Sequence, residues 1–269
     1  MRVAAMYDIH GNLPALTAVL EDVAREAPDI IVVGGDVALG PMPRETVAWL
    51  MSLGERARCI RGNADRELVS HYGGTSDLRQ RVGEADIWVL RGEWAARQIT
   101  KPQRDFLAGL PETVLLDIEG LGQTLFCHGS PRSDEQIITR ITPEHRLRKM
   151  LAGVEEAVVV CGHTHVQFDR ALHGRRIVNA GSVGMPYERE PAAYWALLGP
   201  DVSLRRTAYD VEEAAARFRA SAFLEADEFV SKNLLNPPDP DETSEFFEKV
   251  AKERSWRARP SVIGPREAS

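Results

Sequence analysis

The 269-residue chain is poor in cysteine, holding only Cys59, Cys127 and Cys161. An odd number without C-x-x-C spacing supplies neither a disulfide framework nor a thiolate metal site, and each thiol lies in an apolar run where free cysteine packs as a small hydrophobe. Nowhere do eighteen apolar residues follow one another, and the opening MRVAAMYDIHGN turns polar within eight residues. Neither a membrane-spanning helix nor a secretory leader is therefore expected, and the expected compartment is the cytoplasm. Positive charge is also in short supply: 33 Lys and Arg against 40 Asp and Glu give a net charge of −7. That is the wrong sign for a protein that mainly holds nucleic acid, though not for one that takes a small phosphorylated substrate. A G-x-S-x-G elbow, a Walker loop and a G-x-G-x-x-G loop are all missing, so the usual serine hydrolase, P-loop and dinucleotide-binding chemistries have no foothold. No internal repeat or low-complexity segment is present.

What the chain does have is a βαβαβ beginning. RVAAMYD, DIIVVGG and RARCIRG read as strands, and LPALTAVLEDVARE and PRETVAWLMSLG as the helices between them. In the first helix Leu13, Leu16, Val19, Leu20 and Val23 form one apolar stripe, with Asn12 as cap and Pro14 in the first turn. Residues 65–109 turn polar and helix-like, the pattern of an insertion or cap. From residue 113 short strands return, separated by glycine and proline turns suited to hairpins, so this half reads as more antiparallel. A single amphipathic helix is expected over 211–233. The NPPDPDE break then suggests a domain ending near residue 235 and a tail over 236–269, partly helical and weakly docked or disordered.

An α/β sheet collects its ligands beyond the carboxyl ends of its strands, and here those ends are biased. DIHGN brings Asp8, His10 and Asn12; GGD brings Asp36; GNAD brings Asn63 and Asp65; CHG brings His128; GHTH brings His163 and His165. Carboxylate, imidazole and amide groups thus gather on five loops, with glycine beside nearly all of them. Alternation along an extended chain puts the two imidazoles of GHTH on one side, as a metal clamp requires. A two-metal centre needs roughly four protein ligands per ion and a carboxylate that bridges ions about 3.5–4 Å apart, and this inventory meets that need.

The ordered set DIHGN, GGD, GNAD, CHG and GHTH resembles the calcineurin-like metallophosphoesterases, over residues 3 to 208, and GDVALGP and NAGSVGMP resemble its compact bacterial and archaeal branch. The resemblance implies a four-layer α/β/β/α sandwich of two mixed sheets. It implies one metal held by Asp8, His10, Asp36 and His165 and another by Asp36, Asn63, His128 and His163, with Asp36 as the bridge. It further implies hydrolysis of a phosphoester by a water or hydroxide between the ions. Mixed oxygen and nitrogen ligation points to Mn²⁺ first, with Fe, Zn²⁺, Co²⁺ or Ni²⁺ behind it. Asp65 is expected to orient a histidine. Arg132, after HGSP, and Arg61 and Arg66, beside the asparagine loop, could each hold a phosphate oxygen, with surface or ion-paired roles the ordinary alternative for all three; Arg132 is taken as the candidate.

One departure matters: relatives carry a histidine, thought to protonate the leaving group, where this chain has Ala64. Relatives that lack it tend towards phosphodiesterase activity, so the resemblance implies a small or nucleotide-like phosphodiester rather than a phosphomonoester. His71 is a candidate replacement acid, although it, His145 and His173 are otherwise expected at the surface. The competing readings are a scaffold that binds partner proteins on the same fold and a nuclease. A homo-oligomer is compatible with the sequence, and no membrane partner is expected.

Overall fold

The computed structural model describes residues 1–74 and 86–253. The chain runs β1 (Val3–Met6), α1 (Leu13–Glu26), β2 (Ile30–Val33), α2 (Pro43–Ser52), β3 (Ala57–Cys59), α3 (Asn63–His71), α4 (Ile87–Gln98) and α5 (Lys101–Ala108). It continues through β4 (Thr113–Ile118), β5 (Gly122–Cys127), α6 (Glu144–Met150), β6 (Val158–Cys161), β7 (Phe168–Leu172), β8 (Arg175–Asn179), β9 (Ala193–Leu198), β10 (Val202–Thr207), α7 (Val211–Ala220) and α8 (Pro240–Glu253). The strands form two five-stranded sheets, ordered β10-β9-β1-β2-β3 and β4-β5-β6-β8-β7.

Period-2 alternation explains the four layers. In β1, Val3 and Ala5 face inward with Val32 and Leu198 and meet Phe126, Val158, Val160 and Val178 of the other sheet. Ala4 and Met6 face outward onto Leu16, Val19 and Val23 of α1 and Leu50 of α2. In β6 the inward valines alternate with Val159 and Cys161, which face outward onto Leu147 and Met150 of α6. Strands buried on both faces read as unbroken apolar runs, as VAAM and VVVC do. All three thiols are free, Cys127 and Cys161 buried and Cys59 half-buried.

As expected, the second half is the more antiparallel: β4-β5, β7-β8, β9-β10 and β9-β1 pair antiparallel, whereas β1-β2 and β2-β3 are parallel. Within it β6 pairs in parallel with both β5 and β8. The structure departs from the sequence reading in two places. The helix expected over 211–233 stops at Ala220, and Ala222 and Glu225 adopt left-handed φ of 59° and 53° before Ala226–Phe229 restarts it. Phe218, Phe223 and Phe229 pack in one cluster, whereas on a straight helix Phe223 would face well away from the side shared by Phe218 and Phe229. The break brings them together.

The second departure is α8, which is firmly seated where a weakly docked or disordered tail was expected. Glu248 is buried and accepts from Thr139 Oγ1 at 3.0 Å and from the Thr142 hydroxyl and Arg146 guanidinium. Its inner face mixes buried Thr243, Ser244, Glu248 and Ala251 with half-buried Phe247 and Val250, so polar side chains interrupt its apolar stripe.

Candidate metal centre

Each candidate ligand leaves the end of a strand. Asp8 and His10 follow β1, Asp36 follows β2, Asn63 opens α3 after β3, His128 follows β5, and His163 and His165 follow β6. Five of these seven residues have positive φ: Asp8 at 53°, His10 at 46°, Asp36 at 53°, His163 at 66° and His165 at 58°. Left-handed backbone costs a non-glycine residue on the order of 1 kcal/mol, and such outliers persist only where surrounding bonds over-determine them. Here those bonds are visible. Asp8 N donates to Gly35 O (3.1 Å), His10 N to Asp36 O (2.9 Å) and His163 N to Asp8 Oδ2 (2.9 Å).

Two motif glycines allow the close approach. A Cβ on Gly62 would lie 2.1 Å from Asp36 Oδ1, and one on Gly162 would lie 2.5 Å from Asp8 Oδ2. Neither position has room for a side chain.

The groups converge as two triads, Asp8 with His10 and His165, and Asp36 with His128 and His163. Asp36 Oδ2 lies between them, 3.3 Å from His128 Nε2 and 3.9 Å from His10 Nε2. Asp8 Oδ1 lies 3.4 Å from His165 Nε2 and 3.8 Å from His128 Nε2. Asn63 Oδ1 completes the second triad at 3.2 Å from His128 Nε2.

Whether these residues suit a cation can be judged from their hydrogen bonding. The Nδ1 atoms of His10, His165 and His128 each face a backbone carbonyl, of Leu39 (3.1 Å), Met185 (2.6 Å) and Gly34 (2.9 Å). A carbonyl only accepts, so each Nδ1 carries the proton and each Nε2 turns a lone pair inward. His10 Nε2 and His165 Nε2 then face each other at 3.2 Å, and Asp8 Oδ1 is buried with no hydrogen-bond partner among the described residues. Converging lone pairs and an orphaned carboxylate oxygen call for positive charge between them, so the donor set fits divalent cations.

In the metal-free site a proton stands in for that charge: His128 holds it on Nε2 towards Asp36, where a cation would take the lone pair instead. Burial works against charge on His128, yet the Asp36 carboxylate overcomes it and lifts the imidazole to about 10. Burial and the neighbouring His128 push His163 down to about 4. Burial alone would raise Asp8 and Asp36, but the surrounding imidazoles hold both below the usual carboxylate range.

Asp65 does not orient a histidine. Its buried carboxylate accepts from Asp36 N (2.8 Å), Val37 N (3.0 Å), Ala38 N (3.4 Å) and Gly62 N (3.1 Å), so it shapes the backbone under Asp36. Burial and Asp36 raise it to about 6. Arg132 is not brought to the site: its guanidinium donates to Lys149 O at 2.9 Å, at the end of α6. Arg61 is paired with Glu112, and Arg66 with Asp134 and Glu135. His71 is not a surface residue but is buried against α4, where a Cβ on Gly92 would lie 2.9 Å from its Cδ2. Ala64 is buried, and its N–H donates to Asp36 Oδ1 at 2.8 Å.

Sequence reasoning missed the residues that brace the histidines. Asn179 Nδ2 donates to Gly162 O (2.7 Å) and Thr164 Oγ1 (3.0 Å), which fixes the GHTH loop. Ser182 Oγ donates to Asp8 O at 2.7 Å and accepts from Met185 N at 2.8 Å. Tyr187 stacks on His165 with centroids 4.8 Å apart. The signal available was the polar start of NAGSVGMP directly after β8.

The profile of the calcineurin-like phosphoesterase superfamily domain matches residues 1–199, which contain all seven candidate ligands. The chain belongs to this superfamily. A metallophosphoesterase from Sphaerobacter thermophilus is 26% identical, with 86% of this chain and 97% of that one covered at a TM-score of 0.67. A hypothetical protein from Pyrococcus horikoshii shares the fold at 23% identity and a TM-score of 0.74, with coverage of 85% and 97%. Among curated proteins, a symmetrical bis(5'-nucleosyl)-tetraphosphatase of Pseudomonas syringae is 27% identical over 176 residues, 65% of this chain and 52% of that phosphatase. An uncharacterized protein of Methanocaldococcus jannaschii is 26% identical over 231 residues, 79% of this chain and 89% of its own. The superfamily assignment carries the two-sheet α/β sandwich with it. No described helix is long and apolar enough to cross a membrane.

Glu67, on the same side of α3 as Asn63, yields a test of the site's electrostatics. Burial raises it to about 7 from an ordinary 4.5, against Arg66 and with help from Asp36, Glu135 and Asp134. As pH rises from 4.5 towards 7 the unfolded chain therefore releases this proton before the folded one does, and stability falls across that window and levels off above it. Urea unfolding of metal-free protein at pH 5 and pH 8 is expected to show Glu67→Gln removing on the order of 2 kcal/mol of this loss. An unchanged difference between the two pH values would contradict the burial of Glu67.

Proposed function

We propose that the protein is a dinuclear metal-dependent phosphoesterase, with Asp8, His10, Asp36 and His165 holding one ion and Asp36, Asn63, His128 and His163 the other. The observation that carries the reading is the pair of triads facing each other across Asp36 Oδ2. Bound cations would supply a lowered pKa for attacking water and neutralise the charge that builds on the phosphoryl oxygens. The chain's part is to hold the ligands ready. Backbone carbonyls fix the imidazole tautomers, Asp65 fixes the loop of Asp36, and Asn179 and Ser182 fix the loops of His163 and Asp8. Mn²⁺ is the first choice of ion for mixed oxygen and nitrogen donors, ahead of Fe, Zn²⁺, Co²⁺ and Ni²⁺.

A phosphodiester is the favoured substrate. Ala64 brings no proton to a leaving oxygen, and general-acid help is worth roughly 10²–10⁴ in rate, most for poor leaving groups. Support for a nucleotide-like substrate comes from the similarity to a bis(5'-nucleosyl)-tetraphosphatase. With Mn²⁺ added, hydrolysis of bis(4-nitrophenyl) phosphate is expected to exceed that of 4-nitrophenyl phosphate by about tenfold or more. The reverse order would overturn the diester assignment. Metal analysis of the same sample separates enzyme from scaffold: close to two ions per chain supports the centre, and well under one removes it.

A further inference from the structure

Three arginines surround one cavity in a chain whose net charge is −7. Arg44 comes from the first turn of α2, Arg97 from the last turn of α4 and Arg217 from α7. Together with Trp94, Pro41 and Met42 they line a cavity of about 540 Å³, within the range usual for small-molecule sites. The same loop serves the metal centre, since Leu39 O holds His10 Nδ1 two residues before Pro41. One loop therefore runs from the metal centre to the cavity.

The local inversion of charge is the point of interest. Guanidiniums gathered around a partly enclosed space repel one another, and a bound anion relieves that repulsion. The countercharge nearby is small: Glu45 also lines the cavity, and Glu213 lies 4.0 Å from Arg217. Arg44 Nε donates to Gln98 O at 3.0 Å, which anchors its fork at the wall. The exposed Arg97 guanidinium makes no ion pair or hydrogen bond among the described residues. Trp94 adds an aromatic surface held by an edge contact with Phe223, centroids 5.3 Å apart. Planar cations beside an indole form a receptor for an anion joined to a flat ring.

We propose that this cavity binds a phosphorylated aromatic ligand of the nucleoside monophosphate type, Trp94 taking the base and Arg44, Arg97 and Arg217 the phosphate. The site is distinct from the metal centre and does not depend on its assignment. The test uses the full-length protein with EDTA, which silences hydrolysis. AMP, adenosine, ribose 5-phosphate and inorganic phosphate are titrated in turn by calorimetry and tryptophan emission. AMP is expected to bind saturably and quench the emission, with adenosine and ribose 5-phosphate each weaker by about tenfold or more. The double variant Arg97→Ala, Arg217→Ala is expected to weaken AMP by about tenfold or more, and circular dichroism of these exposed positions checks that the fold survives. Trp94→Phe is expected to abolish most of the quenching. Absence of saturable AMP binding, or AMP affinity within twofold of wild type in the double variant, overturns the site. Equal affinity for AMP and inorganic phosphate overturns the role given to Trp94.

Discussion

Asp36→Asn is expected to lower kcat/KM for an aryl phosphodiester by about 10³-fold or more, the scale seen when charge stabilisation is lost from a preorganised site. The reason lies in how the two carboxylate oxygens are committed. Oδ1 accepts from Ala64 N–H at 2.8 Å, whereas Oδ2 faces both triads. An asparagine would keep the Ala64 bond by placing its carbonyl there, which turns the NH₂ towards the imidazoles. Two N–H donors then stand where the site needs a shared anion. Metal content measured by plasma emission is expected to drop from two ions per chain to one or fewer. The fold should hold, because Asp65 grips the backbone of residue 36 and not its side chain. Wild-type turnover with two ions retained would remove Asp36 as the bridge.

Asp65→Ala should produce the largest loss of stability, about 3–4 kcal/mol. The carboxylate is fully buried and is the acceptor for four backbone N–H groups, of Gly62, Asp36, Val37 and Ala38. Removing it strands those donors in the interior, where each unsatisfied group costs about 1–3 kcal/mol before relaxation or entering water recovers part of it. Asp36 would also lose the bond that holds its left-handed turn, so cation binding should weaken alongside stability. Urea unfolding of metal-free protein reads the first effect and manganese titration the second. A destabilisation below about 1 kcal/mol would show that the surrounding loop supports itself.

Much of the fold was legible because its strands are short apolar runs and its first helix carries a clean stripe, a cap and an early proline. The candidate site was legible for a related reason: ligand-type side chains next to glycine at successive strand ends leave few other readings. The failures are equally physical. β7 and α6 carry no strong period of their own, and the inner face of α8 includes Thr243, Ser244 and Glu248, whose polarity reads as solvent-facing until their partners are known. Asp65 was assigned to a histidine because sequence shows its neighbours along the chain and not the four N–H groups that fold around it. Arg132 was read from proximity to His128, but its guanidinium is taken up by Lys149 O. His71 lies in a polar stretch, yet the absent side chain of Gly92 lets α4 cover it.

The candidate ligands come from loops of both sheets: Asp8, His10, Asp36 and Asn63 from those after β1, β2 and β3, and His128, His163 and His165 from those after β5 and β6. A pair of cations held this way would act as a clasp on one rim of the sandwich, adding to the apolar seam and to cross-sheet hydrogen bonds such as that from Tyr7 OH to Val160 O. Prising the layers apart would then require the ions to leave first. Slow amide exchange along β1 and β6 should accordingly track metal occupancy, although neither strand itself supplies a ligand.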